Sequence, residues 1–230
     1  MAIKTRKKVP TLTTDQMREV DRIMIEDLHI ELVQMMENAG RGLAELAVAR
    51  FSPATVVVLA GPGGNGGGGM VAARHLANRG CTASVVLSEP DSLTPVPAHQ
   101  TDILTRMGVP IADAPAEADL VLDALIGYSL HGDPTGRAAA LIEWANDQPA
   151  PILALDTPSG LDVTTGVAGT PCVRATATMT LALPKIGLIG GQSVGELYLA
   201  DISVPPLVYW RFGIDPPRLF DNSGLIRLAQ

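Results

Sequence analysis

Short apolar runs alternate with longer segments of helical periodicity along most of the chain. Met17, Val20 and Met24 recur at spacings of three and four, which predicts an opening helix with one apolar face. The same kind of pattern predicts a second helix over 31–50. The run 55–59 is continuous and rich in β-branched residues, which is typical of a strand buried on both faces. The chain therefore opens with two helices before its first central strand.

Strand and helix patterns then alternate as far as about residue 155. Further strands are predicted at 83–87, 119–124, 151–155, 177–183 and 195–202, and further helices at 70–79, 98–107 and 138–146. This alternation is the signature of βαβ units around a parallel sheet. The last two strands lack a long helix between them, so the sheet is expected to turn mixed there. The pattern predicts a single α/β domain over 1–230.

The two ends of the chain lack this regular alternation. Residues 1–12 carry a basic cluster with no apolar segment after it, so we expect a flexible, solvated tail and no signal peptide. The stretch after about residue 203 is rich in proline, which predicts an extended segment on the surface.

The composition excludes several classes of protein. A net charge of −7 argues against non-specific binding to nucleic acid, which needs a basic surface. No apolar run reaches the roughly 18 residues of a membrane span. Cys81 and Cys172 are too few for a disulfide scaffold and fit free thiols in a reducing compartment. We therefore expect a cytoplasmic protein that binds neither nucleic acid nor membranes.

Glycine is concentrated in one segment, since seven of the 23 glycines lie within residues 61–69. Backbone N–H groups there, with the N-terminus of the next helix, could bind an anion such as pyrophosphate. The Gly-Lys-Ser/Thr of a Walker A loop is missing. Gly61, Gly63 and Gly66 formally match the dinucleotide fingerprint, with Glu89 about 20 residues further on. The alternative interpretation is a plain tight turn between strand and helix.

Polar residues also follow the later strands. Asp123 and Asp156 each end an apolar strand, and a polar loop at 127–133 follows Asp123. Ligands bind beyond the carboxyl ends of strands in open parallel sheets, so these segments should meet in one crevice. Each aspartate taken alone is equally consistent with a turn cap. Lys185 follows a further strand and is either a phosphate contact or a solvated lysine.

Three other polar residues are candidates for the same crevice. Ser159 lacks the Gly-x-Ser-x-Gly context of a hydrolase nucleophile, so we interpret it as a hydrogen-bonding or ion-binding oxygen. The oxygens of Asn65, Asp123 and Ser159 would together suit a hard cation. His131 lies in the polar loop and is either a proton carrier or an exposed histidine.

These residues resemble the motifs of one family, the NAD(P)H-hydrate epimerases, also called the YjeF N-terminal domain. Gly64 and Gly68 depart from the family pattern, which has Asn and Asp there. Five ordered segments carry the resemblance, namely Met36-Glu37-Asn38-Ala39-Gly40, the glycine-rich segment 61–69 with the helix start at 71–76, Asp123-Ala124 with Gly127, Asp156-Thr157-Pro158-Ser159-Gly160-Leu161-Asp162, and 178–185.

The resemblance implies a Rossmann-like three-layer sandwich with a mostly parallel central sheet, often as a homodimer. It also implies interconversion of the R and S forms of hydrated NADH or NADPH as metabolite repair, and pairing with a separate dehydratase. Asp156 would be catalytic, and a potassium ion would be held by Asn65, Asp123 and Ser159. The substrate contacts it implies are Gly64, Asn65, Gly66, Gly67, Gly68, Gly127, Tyr128, Ser129, Leu130, His131, Gly132, Asp133 and Asp156.

Two alternative functions use the same fold. Gly68 removes a carboxylate of the family pattern, which favours a catalytically impaired nucleotide-binding or scaffold domain. A Rossmann dehydrogenase is the other alternative, although no His–Asp proton relay stands out in the sequence.

Overall fold

The computed structural model describes residues 3–220 and 223–229, and within them one nine-stranded sheet. The strands are β1 (Lys4–Arg6), β2 (Thr55–Ala60), β3 (Thr82–Leu87), β4 (Ile111–Ala112), β5 (Leu120–Ala124), β6 (Ile152–Leu155), β7 (Ala177–Leu181), β8 (Glu196–Ala200) and β9 (Leu225–Leu228). Their spatial order is β1-β9-β8-β7-β6-β5-β2-β3-β4. Among these strands of the described residues, only β8 and β9 pair antiparallel. The predicted α/β fold with a mostly parallel sheet is confirmed.

Helices cover both faces of this sheet. They are α1 (Thr14–Arg22), α2 (Leu32–Phe51), α3 (Gly64–Ala77), α4 (Pro95–Arg106), α5 (Gly136–Asp147) and the short α6 (Pro206–Trp210). The N-terminus of α1 is a capping box, in which Gln16 and Thr13 satisfy each other's backbone N–H groups. No helix in the described part of the chain is both long and apolar enough to cross a membrane.

Alternating side chains of β2 build two separate cores. Val56 and Val58 join the core that also holds the buried residues of α1 to α4. Val57 and Leu59 point the other way and join the core beneath α5. Successive side chains of a strand face opposite sides of a sheet, so a run that is apolar throughout needs cover on both. The predicted three-layer sandwich follows from this run.

The two chain ends differ from the sequence predictions. From residue 4 to residue 12 the segment is not the flexible tail that was predicted, because Lys4–Arg6 pairs parallel with β9 and Leu12 is fully buried. The side chains of Lys4, Lys7 and Lys8 are exposed, as expected for a solvated basic cluster. The C-terminal stretch is not merely a surface segment, because β9 is largely buried against β8. The prediction that the sheet turns mixed between the last two predicted strands was also wrong, since β7 and β8 are parallel. Strands of only three or four residues form because a neighbouring strand pairs with them, and so few residues show little apolar–polar alternation in the sequence.

Most of the glycine-rich segment is helical, because α3 begins at Gly64, six residues before the predicted helix start at residue 70. Its backbone lies against neighbouring elements with no space for side chains. A Cβ at Gly69 would come within 2.4 Å of Ala124 Cβ, and one at Gly66 within 1.9 Å of the Gly61 carbonyl oxygen. Much of the glycine excess therefore serves close packing of α3 onto the sheet.

A polar contact fixes α3 against α2. The Glu37 carboxylate accepts a hydrogen bond from Arg74, and its Oε1 is 2.9 Å from His75 Nε2. Glu37 belongs to the Met36–Gly40 segment noted in the sequence, and both its partners are on α3. This motif therefore holds the glycine-rich helix in place.

Candidate active site

A cavity of about 440 Å³ opens at the carboxyl ends of the central strands. Its floor comes from the segments after β2, β5 and β6, and α1 and α2 contribute one wall. Six residues expected at the ligand site line it, namely Gly64, Asn65, Gly127, Tyr128, Ser129 and Asp156. Cavities of this volume are typical of small-molecule sites. The strand-end crevice expected from the sequence is therefore present.

Asp156, directly after β6, forms an ion pair with Lys185 at the cavity. The Lys185 ammonium contacts Asp156 Oδ1 and also donates to Thr180 Oγ1 at 3.3 Å and to the Leu181 carbonyl at 3.2 Å. Lys185 is fully buried, and so nearly is Asp156. A buried charge is tolerated only when it is paired and hydrogen-bonded. This lysine is thus not solvated, and its ammonium is already engaged by protein oxygens.

The backbone of Asp156 adopts an uncommon conformation. Its φ is +66°, in the left-handed region that residues other than glycine seldom occupy. The Asp156 N–H donates to the Met179 carbonyl at 2.7 Å, and Oδ2 accepts from the Tyr128 N–H at 3.3 Å. Strained residues of this kind cluster at functional sites. The carboxylate is therefore held in a fixed orientation towards the loop after β5.

Asp21 is a second carboxyl group at the cavity, and the sequence did not single it out. Tyr128 Oη donates to Asp21 Oδ2 on α1 at 2.6 Å. Burial raises the pKa of Asp21, and burial together with the nearby Asp21 charge raises the pKa of Tyr128. Its position in α1 could have indicated this, because Asp21 lies four residues after the buried Met17 and therefore on the same helical face.

Asp123 and Ser159 form a buried pair beneath the cavity. Ser159 Oγ donates to Asp123 Oδ1 at 2.6 Å, and the Ser159 N–H donates to Oδ2 at 2.7 Å. The Leu125 N–H also donates to Oδ1, at 3.2 Å. Burial raises the pKa of Asp123 to about 6, and these hydrogen bonds only partly oppose the rise. Ser159 Oγ in turn accepts from the Ile126 N–H at 2.9 Å, which ties the loop after β5 to that after β6.

Comparison with known proteins identifies the family. A family model described as YjeF-related protein N-terminus matches residues 32–187. The chain belongs to this family. The NAD(P)H-hydrate epimerase of Dehalogenimonas lykanthroporepellens is 45% identical, over 96% of this chain and 94% of the relative. That of Rhodopirellula baltica is 32% identical, over 90% of each.

Longer relatives and a solved structure extend the comparison. The bifunctional NAD(P)H-hydrate repair enzyme Nnr of Salinibacter ruber is 36% identical over 90% of this chain, which spans only 43% of that relative. The crystal structure of yeast YNL200c matches 95% of the chain and 100% of its own length, with a TM-score of 0.85 and 23% identity. The yeast match supports the fold of the YjeF-related domain.

The oxygen atoms of Asn65, Asp123 and Ser159 would suit a hard monovalent cation. Asp123 has no positively charged partner among the residues described. The Asn65 side chain packs against Gly127, and its buried Nδ2 makes no hydrogen bond. A carboxylate, a hydroxyl and an amide offer oxygen donors and a single negative charge. Within the described ranges no group of three His, Cys, Asp or Glu side chains could hold a metal ion.

Several residues expected as substrate contacts lie away from the cavity lining. Gly66, Gly67 and Gly68 are buried within α3, and a Cβ at Gly68 would come within 2.8 Å of Leu155 Cδ2. Leu130 is half-buried, and the three residues after it, His131, Gly132 and Asp133, are exposed. Asp133 Oδ1 accepts from the Thr170 N–H at 2.9 Å. The loop after β5 therefore meets the cavity through residues 125–129.

Proposed function

We propose that this protein interconverts the R and S epimers of hydrated NADH and NADPH. The observation that carries the proposal is the buried Asp156–Lys185 pair, which meets the cavity next to the N-terminus of α3. Full-length relatives that bear the name NAD(P)H-hydrate epimerase support it. The reaction would return a damaged cofactor to a form that a repair dehydratase can use.

The N-terminus of α3 provides the site for the pyrophosphate. Gly63, Gly64 and Asn65 line the cavity at this helix start. The first N–H groups of a helix have no acceptor within it and carry the positive end of the helix dipole. Because Gly63 and Gly64 lack side chains, the phosphate oxygens can reach these N–H groups directly.

The reacting carbon of the substrate bears a hydroxyl group and is bonded to a ring nitrogen. When a proton is transferred to the hydroxyl, the C–O bond breaks, water leaves, and the nitrogen lone pair forms an iminium cation. Water then adds to the opposite face, forms the new C–O bond, and gives up a proton. The cycle consumes no net water or proton, so one protein group can act first as acid and then as base.

Asp156 and Lys185 supply that acid and base. The Lys185 ammonium, in contact with Asp156 Oδ1, is the proton source. The Asp156 carboxylate receives this proton from the ammonium and passes it to the departing hydroxyl, then takes a proton from the incoming water and returns it to Lys185, while Oδ2 accepts from the Tyr128 N–H. The carboxylate also stabilises the intermediate cation across a short distance. Asp21 and Tyr128 close the α1 side of the cavity through their hydrogen bond.

A potassium ion would be held by Asn65, Asp123 and Ser159. When bound, it supplies positive charge that balances the Asp123 carboxylate and the substrate pyrophosphate. Ser159 and Asp123 already fix the loops after β5 and β6. These residues therefore orient the loop that carries Tyr128, with no direct part in proton transfer.

The longer relatives suggest what acts next to this protein. Because longer relatives, such as that of Salinibacter ruber, bear the name bifunctional NAD(P)H-hydrate repair enzyme, we propose that the epimerase acts together with an NAD(P)H-hydrate dehydratase. A homodimer and a cytoplasmic location are further parts of the proposal, the latter in keeping with the free thiols of Cys81 and Cys172.

The direct test supplies one purified epimer and follows the other by chromatography. We expect the wild type to accelerate interconversion, and Asp156→Asn to lower the rate by about 10²–10⁴-fold. Asp147→Asn, at the exposed end of α5, is the matched control and should keep the wild-type rate. A wild type no faster than the spontaneous reaction would contradict the function. A fully active Asp156→Asn would contradict only the assignment of that residue.

A further inference from the structure

Glu89 stands at the far rim of the cavity from Asp156. It lies two residues after the end of β3 and lines the same cavity as Gly63, Gly64 and Asn65. Its side chain is exposed and makes no hydrogen bond or ion pair within the described residues. A carboxylate that faces a ligand cavity without a partner is free to bind a ligand.

The position of Glu89 relative to the glycine-rich segment is fixed by the backbone. The Thr94 N–H and Oγ1 both donate to the Pro62 carbonyl, at 2.9 Å and 3.0 Å. The Ser88 N–H donates to the Ala60 carbonyl at 2.9 Å. Hydrogen bonds on both sides of Glu89 thus tie its segment to the chain that leads into α3.

The strand order sets the distance that a ligand must cover. From Asp156 to Glu89 the ends of β6, β5, β2 and β3 follow one another, with the start of α3 after β2. Strands lie about 4.8 Å apart, so the three intervals span roughly 14 Å. A dinucleotide with its nicotinamide at Asp156 and its pyrophosphate at α3 would place its adenosine ribose near Glu89. Acidic residues after the strand next to the glycine-rich turn bind ribose hydroxyls in other nucleotide-binding sheets.

We propose that Glu89 binds the ribose hydroxyls of the adenosine half and selects against a 2′-phosphate, so that hydrated NADH is preferred to hydrated NADPH. This inference rests on the function proposed for the site. Ribose hydroxyls would donate to the Glu89 carboxylate, whereas a 2′-phosphate would bring a second negative group against it.

The charges around the cavity agree with this preference. Its charged lining residues are Asp21, Glu89 and Asp156, and no arginine or lysine lines it among the described residues. Lys185 lies beneath Asp156 and is engaged by that carboxylate. Sites that accept a 2′-phosphate place an arginine nearby, and this cavity offers none.

The test compares both substrates in wild type, Glu89→Gln and Asp91→Asn. Glu89→Gln removes the charge while keeping the side-chain shape. Asp91 is also acidic and exposed, and it lies two residues after Glu89 but does not line the cavity. Asp91→Asn therefore controls for the loss of one negative charge near the site. We expect wild-type kcat/KM to favour hydrated NADH by about tenfold, and Glu89→Gln to reduce that preference to about threefold or less. Asp91→Asn should keep the wild-type ratio.

A binding measurement separates this inference from the epimerase reaction. ADP-ribose and its 2′-phosphate lack the nicotinamide ring, so calorimetry with the two probes reports on the adenosine end alone. We expect ADP-ribose to bind more tightly, with the difference largely removed in Glu89→Gln. Equal binding of the two probes by the wild type, or an unchanged difference in Glu89→Gln, would overturn the role of Glu89 even if the protein is an active epimerase. The expected binding pattern in a protein without epimerase activity would support the subsite and overturn only the proposed reaction.

Discussion

The Asp156 carboxylate and the Lys185 ammonium form an ion pair whose side chains are only 5% and 0% exposed. The two residues are 29 positions apart in the chain and follow different strands. Both side chains are almost completely buried, so the stability of each charge depends on the other. The pair is therefore both a structural element of the sheet edge and the centre of the proposed chemistry.

Breaking this pair should cost more stability than removing it. We expect Lys185→Met to lower the free energy of unfolding by about 3–5 kcal/mol, because it leaves the Asp156 charge buried and unpaired. The double variant Asp156→Asn/Lys185→Met should recover part of that loss while remaining inactive. Urea unfolding of the wild type, of Lys185→Met, of Asp156→Asn and of the double variant gives the coupling energy. Additive losses would show that the two charges are not coupled.

Asp123 should make stability depend on pH in the direction opposite to most carboxylates. Its pKa is raised from 3.8 to about 6 in the folded protein, so the folded state holds a proton that the unfolded state has released. The free energy of unfolding should then fall as the pH rises from about 4 to about 6, by about 3 kcal/mol for this group.

The contribution of Asp123 is isolated by a matched comparison. Carboxylates with lowered pKa, such as Asp102 beside Arg106, act in the opposite sense. The difference between wild type and Asp123→Asn removes their share, since both proteins contain them. Urea unfolding at several pH values in potassium-free buffer should show this difference changing between about pH 4 and 6 and constant above. A difference that does not vary with pH would contradict the raised pKa.

Potassium should stabilise the folded protein at neutral pH, where Asp123 is ionised. We expect saturating potassium chloride to raise the Tm by about 2–6 °C over tetramethylammonium chloride at equal ionic strength. Asn65→Ala and Ser159→Ala should lose most of this increase, because each removes a proposed oxygen donor. Asp147→Asn, far from the site on α5, should retain it. An equal Tm in the two salts would rule out the ion site.

Two glycines of α2 should respond in opposite ways to the same substitution. A Cβ at Gly40 would lie 2.5 Å from the Gly68 carbonyl oxygen on α3, and we expect Gly40→Ala to destabilise the protein by about 1–3 kcal/mol. At Gly42 the nearest atoms would be 3.7 Å away, so Gly42→Ala should stabilise it by about 0.5–1 kcal/mol. Urea unfolding measures both, and equal effects would contradict the close approach of α2 and α3.

Restoring the family aspartate at Gly68 should not help this protein. The added side chain would start 2.8 Å from Leu155 Cδ2 in a buried part of α3, and we expect a loss of about 1–3 kcal/mol in stability. Epimerase activity per folded molecule should not increase. The companion variant Gly68→Asp/Leu155→Ala provides space and should regain part of the stability. An increase in epimerase rate for Gly68→Asp alone would show that the glycine limits catalysis.

The features that depend on local pattern follow from the amino-acid sequence alone. The β-branched run of β2 required cover on both faces, and the capping residues fixed the start of α1. The position of Asp123 and Asp156 after apolar runs was enough to place both at the carboxyl edge of the sheet, since a parallel sheet brings its strand ends together.

Which side chains meet and which are buried depends on the tertiary structure. The Asp156–Lys185 pair, the hydrogen bond from Tyr128 to Asp21 and the pairing of Lys4–Arg6 with β9 all join residues distant in sequence. Even the start of α3 at Gly64 depends on how closely neighbouring elements approach it. Burial and charge pairing depend on contacts across the sheet, and a linear pattern of polar and apolar residues does not contain those distances.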